Sequence, residues 1–160
     1  MKTNSYFDIG ANLTHESFDK DLITVIEEAK QNNVKKICIT STSIEDTRVS
    51  LKLLENDQDF FITTCGIHPH YADTFEESNI REIKELSEHP SVKAIGETGL
   101  DFNRNYSKKD NQILCFKSQI EVAQDLNLPL FLHQRDAHKD FMNCFSTVSY
   151  THLRAHETKS

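Results

Sequence analysis

Val92-Lys93-Ala94-Ile95-Gly96-Glu97-Thr98-Gly99-Leu100-Asp101-Phe102-Asn103 reads as a short apolar run that delivers a carboxylate, Glu97, to its end and then turns through Gly99. Small and β-branched residues suit a buried strand, and glycine suits the sharp turn expected after it. A second apolar run, Leu128-Pro129-Leu130-Phe131-Leu132-His133, closes on an imidazole in the same way. Two strands are thus expected to raise possible metal ligands from one rim.

The same rhythm extends toward the N-terminus. Tyr6-Phe7-Asp8-Ile9 is strand-like, and Phe18, Leu22, Val25, Ile26 and Ala29 after it share one helical face. Lys36–Thr40 precedes a helix predicted over 44–55, opened by Ser43 and Asp46 in a capping box. Phe60–Cys65 precedes a helix over 75–87, where Thr74 and Glu77 repeat that signature. The Glu97 strand leads to a helix over 108–126, with Ser107 and Asp110 at its start and Ile113, Phe116, Ile120 and Ala123 on its inner stripe. The His133 strand leads to a helix over 137–145.

Five consecutive βα units with apolar strands imply an α/β fold with a parallel sheet, because parallel strands need crossovers and bury both faces. Such a sheet is either open and doubly wound or part of a TIM barrel. Asp8, Gly66-Ile67-His68, Glu97 and His133 all fall at or after the C-terminal ends of the expected strands. In a barrel those ends converge on one site, which favours the barrel. A whole barrel takes ~250 residues; the 160 residues here correspond to about the first five of eight units. Residues 1–147 are expected to form that partial barrel.

Hydrophobic residues make up 37% of the chain, and no apolar run approaches the ~20 residues a membrane span requires. The N-terminus carries one lysine and no apolar core of signal-peptide type, so a cytoplasmic location is expected. Cys38, Cys65, Cys115 and Cys144 lie far apart with no Cys-x-x-Cys pair, which points to buried thiols. A net charge of -7 argues against a protein that coats nucleic acid with a broad basic face. Bound cations could still draw phosphate to a small site.

Candidate chemistry gathers in four places. Glu97 reads either as a surface carboxylate that follows a strand or, since an unpaired charge held over a sheet is costly, as the partner of a divalent cation. His133 reads either as a metal donor or as a strand histidine bonded to a backbone carbonyl. After it, Arg135 offers a planar donor fork for phosphate, while Asp136 either caps the next helix or orients His133. His68 and His70 flank Pro69 in a turn that is either structural or placed to meet a phosphate or move a proton. Arg104, between Asn103 and Asn105, is either solvated or a donor to a polyanion.

Asp8-Ile9-Gly10-Ala11-Asn12-Leu13-Thr14, Gly66-Ile67-His68-Pro69-His70, Ile95-Gly96-Glu97-Thr98-Gly99-Leu100-Asp101-Phe102-Asn103-Arg104-Asn105 and Leu132-His133-Gln134-Arg135-Asp136-Ala137-His138 resemble TatD-type deoxyribonucleases, four motifs in order over about residues 5–147. That resemblance implies a TIM-barrel, metal-dependent phosphodiesterase related to the amidohydrolases. It implies hydrolysis of DNA, single-stranded by expectation, as a 3′ to 5′ exonuclease. It casts Glu97 and His133 as metal ligands and Glu97 and His68 as catalytic. Beside it, the reading of the residues themselves offers His70, Arg104 and Arg135 as substrate-binding, and no membrane and no obligate protein partner are expected.

Many relatives have histidines where this chain has Gly10 and Asn12, which favours Mg or Mn over Zn. The family's further ligands, a histidine after strand six and an aspartate after strand eight, belong to regions beyond these motifs. Residues 148–160 do not resemble the family; they are expected to be disordered or artefactual, similar to translated adapter DNA. His152 and His156 within them have the i, i+4 spacing of a helical metal grip, but the glutamate of a His-Glu-x-x-His site is misplaced, which argues against one. Two other readings remain: an amide or ester hydrolase built on the same metal site, and a non-catalytic half-barrel fragment.

Overall fold

Each of the five apolar runs forms a strand, and each strand is followed by a helix. The computed structural model describes residues 4–146. The elements are β1 (Tyr6–Ala11), α1 (Leu22–Gln31), β2 (Val34–Ile39), α2 (Ile44–Leu54), β3 (Phe61–Cys65), α3 (Glu77–Ser87), β4 (Val92–Asp101), α4 (Lys109–Leu126) and β5 (Leu130–Arg135). A last helix, α5, occupies residues 138–146. Short 3-10 segments lie at Glu16–Phe18 and Pro69–Thr74.

The sheet order is β1-β2-β3-β4-β5, and every neighbouring pair is parallel. The sheet is strongly curled. Four strand spacings would hold β1 and β5 roughly 19 Å apart if it were flat. Instead, a Cβ placed on Gly10 of β1 would lie 3.4 Å from the ring tip of Phe131 on β5. The five strands thus form a half-barrel, five of the eight staves that a TIM barrel contains.

The helices cover the outer face in three apolar clusters. Ile37, Ile39, Leu54 and Phe61 pack under α1 and α2, where Phe18, Leu22, Ile26 and Ala29 present the expected stripe. Cys65, Ile83, Val92 and Ile95 pack against α3 and α4. Leu100, Phe116 and Ile120 meet Phe141 and Phe145 of α5, with the Phe116 and Phe141 rings stacked 5.0 Å apart. A fully buried side chain of this kind contributes about 1.5–3 kcal/mol. All four cysteines are buried thiols, as their apolar setting suggests; burial pushes the Cys115 thiol up to about 12. Among the described residues no helix is long and apolar enough to cross a membrane.

Several boundaries differ from the sequence reading. Ser43 does cap α2, accepting from the Asp46 N–H at 3.1 Å. Thr74 does not cap α3: its hydroxyl turns back to the Tyr71 carbonyl, and Glu76 with Asn79 forms the capping box instead. Ser107 does not cap α4 either, because its hydroxyl donates to the His70 carbonyl at 2.8 Å. Asp73 serves α4 from another loop, accepting from Lys108 N and Asn111 Nδ2 at 2.9 Å each. Residues 148–160, with His152 and His156, lie outside the described residues.

Candidate metal centre

β4 is a ten-residue strand that runs straight through Glu97 and Gly99 to Asp101. Glu97 is therefore mid-strand, and Gly99 does not turn the chain as its sequence context suggests. Asp8 and His133 are likewise inside their strands. The glycines serve strand packing. Gly96 and Gly99 have φ of +143° and +148°, where L side chains rarely sit, and a Cβ on each would fall on the carbonyl of Phe131 or His133 in β5. Their absence of side chain lets β5 come close.

Gly99 pairs with His133, so the imidazole stands beside a gap between two acids of β4. His133 Nδ1 lies 3.1 Å from Glu97 Oε1, and its Nε2 lies 3.2 Å from Asp101 Oδ2. The hydrogen bond to Glu97 outweighs burial and raises the His133 pKa, while that same bond lowers the pKa of Glu97. Asp101 is only 1% exposed. Its Oδ1 accepts the N–H groups of Asn103 and Arg104 at 3.0 and 2.9 Å, and Oδ2 also meets His70 Nε2 at 2.9 Å. Burial pushes the Asp101 pKa up, but these donors, led by Arg104 N–H and His70, hold it well below the usual carboxylate range.

His68 enters from the end of β3. Its Nε2 lies 3.7 Å from Glu97 Oε1, and its ring meets those of His70 and His133 edge to face at 4.3 and 4.5 Å. Burial drives the imidazole down to about 4, partly offset by Glu97 and reinforced by the two neighbouring histidines. Nδ1 accepts the His70 N–H at 3.2 Å, so the neutral ring carries its proton on Nε2, facing Glu97.

Backbone contacts from several elements fix these positions. The carbonyls of Ser41 and Thr42, just past β2, accept the N–H groups of Glu97 and His68 at 2.8 and 2.9 Å. From α4, the buried Gln119 amide brackets the backbone of Ile67, accepting its N–H at 2.8 Å and donating to its carbonyl at 3.0 Å. One face of the same helix carries Gln112, which treats Asp101 identically, at 2.8 and 3.1 Å. Two glutamines seven residues apart thus clamp the chain beside His68 and at Asp101.

Of the residues singled out from sequence, His68, His70, Glu97 and His133 come together. Arg104 and Arg135 are exposed on the same rim, where Phe102 N–H donates to the Arg135 carbonyl at 2.9 Å. Asp8 stands apart on exposed β1, its carboxylate accepting the nearby Gly10 N–H. Among the described residues Asp136 bonds neither His133 nor the start of α5; it accepts from Asn103 Nδ2 at 2.9 Å. The carboxylate that meets His133 Nε2 is Asp101, which sequence reasoning left out of the site. Its signal was the i, i+4 spacing from Glu97 across Gly99, visible only once β4 is known to continue.

Donor atoms of His68, Glu97 and His133 lie within 4.8 Å of one another, a carboxylate with two imidazoles able to hold one metal ion. Glu97 and His133 fit this role directly. His68 would first have to shift its Nε2 proton.

Comparison with known proteins agrees with this architecture. The chain is 44% identical over 136 residues to the 3′-5′ ssDNA/RNA exonuclease TatD of Musicola paradisiaca, covering 85% of this chain and 52% of that protein. A crystal structure of a TatD family hydrolase from Entamoeba histolytica superposes with a TM-score of 0.83 at 28% identity, covering 92% of this chain and 56% of that one. An uncharacterized amidohydrolase from Saccharomyces cerevisiae gives 0.76, also at 28% identity, over 88% of this chain and 51% of that chain. The chain spans about half the length of the curated relatives it matches. The family model for TatD related DNase matches residues 7–157. Because that match takes in nearly the whole sequence rather than one motif, the chain belongs to the family of TatD related DNases.

Proposed function

We propose that this chain carries part of the active centre of a metal-dependent nuclease that removes nucleotides from the 3′ end of single-stranded nucleic acid. The observation that carries the reading is the Glu97–His133 pair, 3.1 Å apart with His68 alongside, in a chain 44% identical to an exonuclease. Glu97 and His133 hold the ion. When bound, a divalent cation polarises the phosphodiester and makes the attacking water more acidic. Mg or Mn is favoured over Zn because Gly10, in β1, and Asn12, just past it, add no imidazole to the set.

The remaining roles belong to the chain's own side chains. His68, neutral and protonated on Nε2, donates to a phosphate oxygen or to the departing oxygen. Arg104 and Arg135 grip flanking phosphates from the rim. His70 has its Nε2 committed to Asp101, so it shapes the substrate side of the site through its ring and Nδ1. Four buried thiols suit the reducing cytoplasm.

The test uses a single-stranded oligonucleotide labelled at its 5′ end, with Mg2+ or Mn2+ supplied. Ladders shortening from the 3′ end, abolished by chelator and reduced at least about 100-fold by Glu97→Ala, are expected. Cleavage that survives both treatments removes Glu97 and the metal from the reaction. Release of an amide or ester product with no cleavage of nucleic acid would give the site to the amidohydrolase chemistry instead.

A further inference from the structure

Among the described residues Asp101 is the most completely engaged acid: two backbone N–H groups fill Oδ1, and two histidine Nε2 atoms meet Oδ2. We propose that Asp101 is a positioning residue whose buried carboxylate sets the ring orientation and proton placement of His133 and His70. An ionised carboxylate only accepts hydrogen bonds, so each ring bonded to Oδ2 presents N–H from Nε2; at His133 the competing acceptor is Glu97 at Nδ1, and the more deeply buried Asp101 takes the single proton of the neutral ring. In its neutral form His133 then has a bare Nδ1, and that atom faces Glu97 Oε1 at 3.1 Å. Asp101 thereby leaves a nitrogen lone pair opposite a carboxylate, the arrangement a cation requires.

The surroundings support a dedicated role. Gln112 holds the Asp101 backbone at both its N–H and its carbonyl, so the carboxylate cannot drift. Gly99 leaves room for the His133 backbone to come close, which sets the ring between Glu97 and Asp101. Because Oδ1 also gathers the Asn103 and Arg104 N–H groups, one acid ties the metal-facing histidine to the loop that carries Arg104. This inference deepens the metal-site reading and rests on it for its purpose, though not for its geometry.

The experiment takes the metal-free chain with 15N-labelled imidazoles, titrated to the neutral plateau of His133, and reads tautomers from two-bond proton–nitrogen correlations. Wild-type His133 should show Nε2–H with unprotonated Nδ1. Asp101→Asn can turn an amide NH2 toward the rings; His133 should then shift toward the Nδ1–H tautomer, and Mn2+ affinity by calorimetry should fall about 10–100-fold. Asp73→Asn, which loosens the α4 start nearby, should lower stability without moving the His133 nitrogens.

A wild-type Nδ1–H tautomer overturns the proposal whether or not any variant folds. So does a folded Asp101→Asn chain with unchanged His133 nitrogens and Mn2+ affinity. If wild type shows the stated tautomer yet binds no Mn2+, the positioning role stands and the metal reading fails.

Discussion

β1 and β4 set an acid beside a glycine on strands of the same sheet, Asp8 with Gly10 in one and Glu97 with Gly96 and Gly99 in the other. β1 pairs only with β2 among the described residues and is exposed, with Ile9 at 64%. Among the described residues its Asp8 hydrogen-bonds only the N–H two residues along. β4 lies between two strands, and its acids meet side chains from β5 and from the loop after β3. An acid at the end of an apolar run becomes a site only where neighbouring strands bring counter-groups to it.

The glycines offer the sharpest way to break that contrast. A methyl group at Gly99 would occupy the His133 carbonyl, on a backbone that L residues rarely adopt. At Gly10 the nearest atom is 3.4 Å away, an ordinary contact. Gly99→Ala should therefore cost at least about 3 kcal/mol in urea denaturation or prevent folding, while Gly10→Ala stays within about 1 kcal/mol in either direction. Equal effects at the two positions would mean that close approach of β4 to β5 is not what builds the site.

The buried glutamines extend the comparison to the support behind each strand. Replacing Gln112 or Gln119 with leucine keeps most of the volume but strands a backbone N–H and a carbonyl in the interior. Each orphaned group costs about 1–3 kcal/mol, so each variant should lose about 2–6 kcal/mol in the same denaturation. Gln124→Leu, on the exposed side of α4, should change stability by less than about 0.5 kcal/mol. A loss at Gln112 no larger than that would show that its clamp on Asp101 is dispensable.

Much of the architecture was legible because it follows from short-range patterns. The helical stripe of Phe18, Leu22, Ile26 and Ala29 and the Ser43 cap depend on local chemistry, and both are present. The pairing of Glu97 with His133 was readable as two similar runs ending on ligands, although the runs themselves extend further. Thr74 and Ser107 had the right spacing for caps, yet their hydroxyls found carbonyls that only the tertiary fold brings near. Gln112 and Gln119 were invisible for a related reason: polar residues on an inner stripe look like interruptions of it until a strand end is seen beside them. Asp101 was hidden by a misplaced strand boundary, since a residue assigned to a loop is assumed to be solvated.

The smallest of these effects concerns the proton on His68, and it separates the site from the rest of the sheet by pH alone. The folded chain holds this imidazole near 4, against an ordinary value of 6.5, chiefly because it is buried. As pH falls through 6.5 the unfolded chain takes up a proton that the folded chain refuses until about 4, so stability is full above this window and declines across it. His133 has the opposite sign: its contribution is complete below 6.5 and is lost as pH rises through its raised folded value. Glu97 contributes above its ordinary 4.5 and loses that contribution as pH drops through its lowered folded value. Between pH 6.5 and 5, then, the falling limb of the metal-free chain belongs mainly to His68. His68→Gln cannot titrate and should flatten the limb by roughly 1–3 kcal/mol over the full descent to pH 4. A limb that keeps its slope in that variant would place the pH-sensitive group elsewhere and leave His68 protonated at neutral pH as readily as a histidine in water.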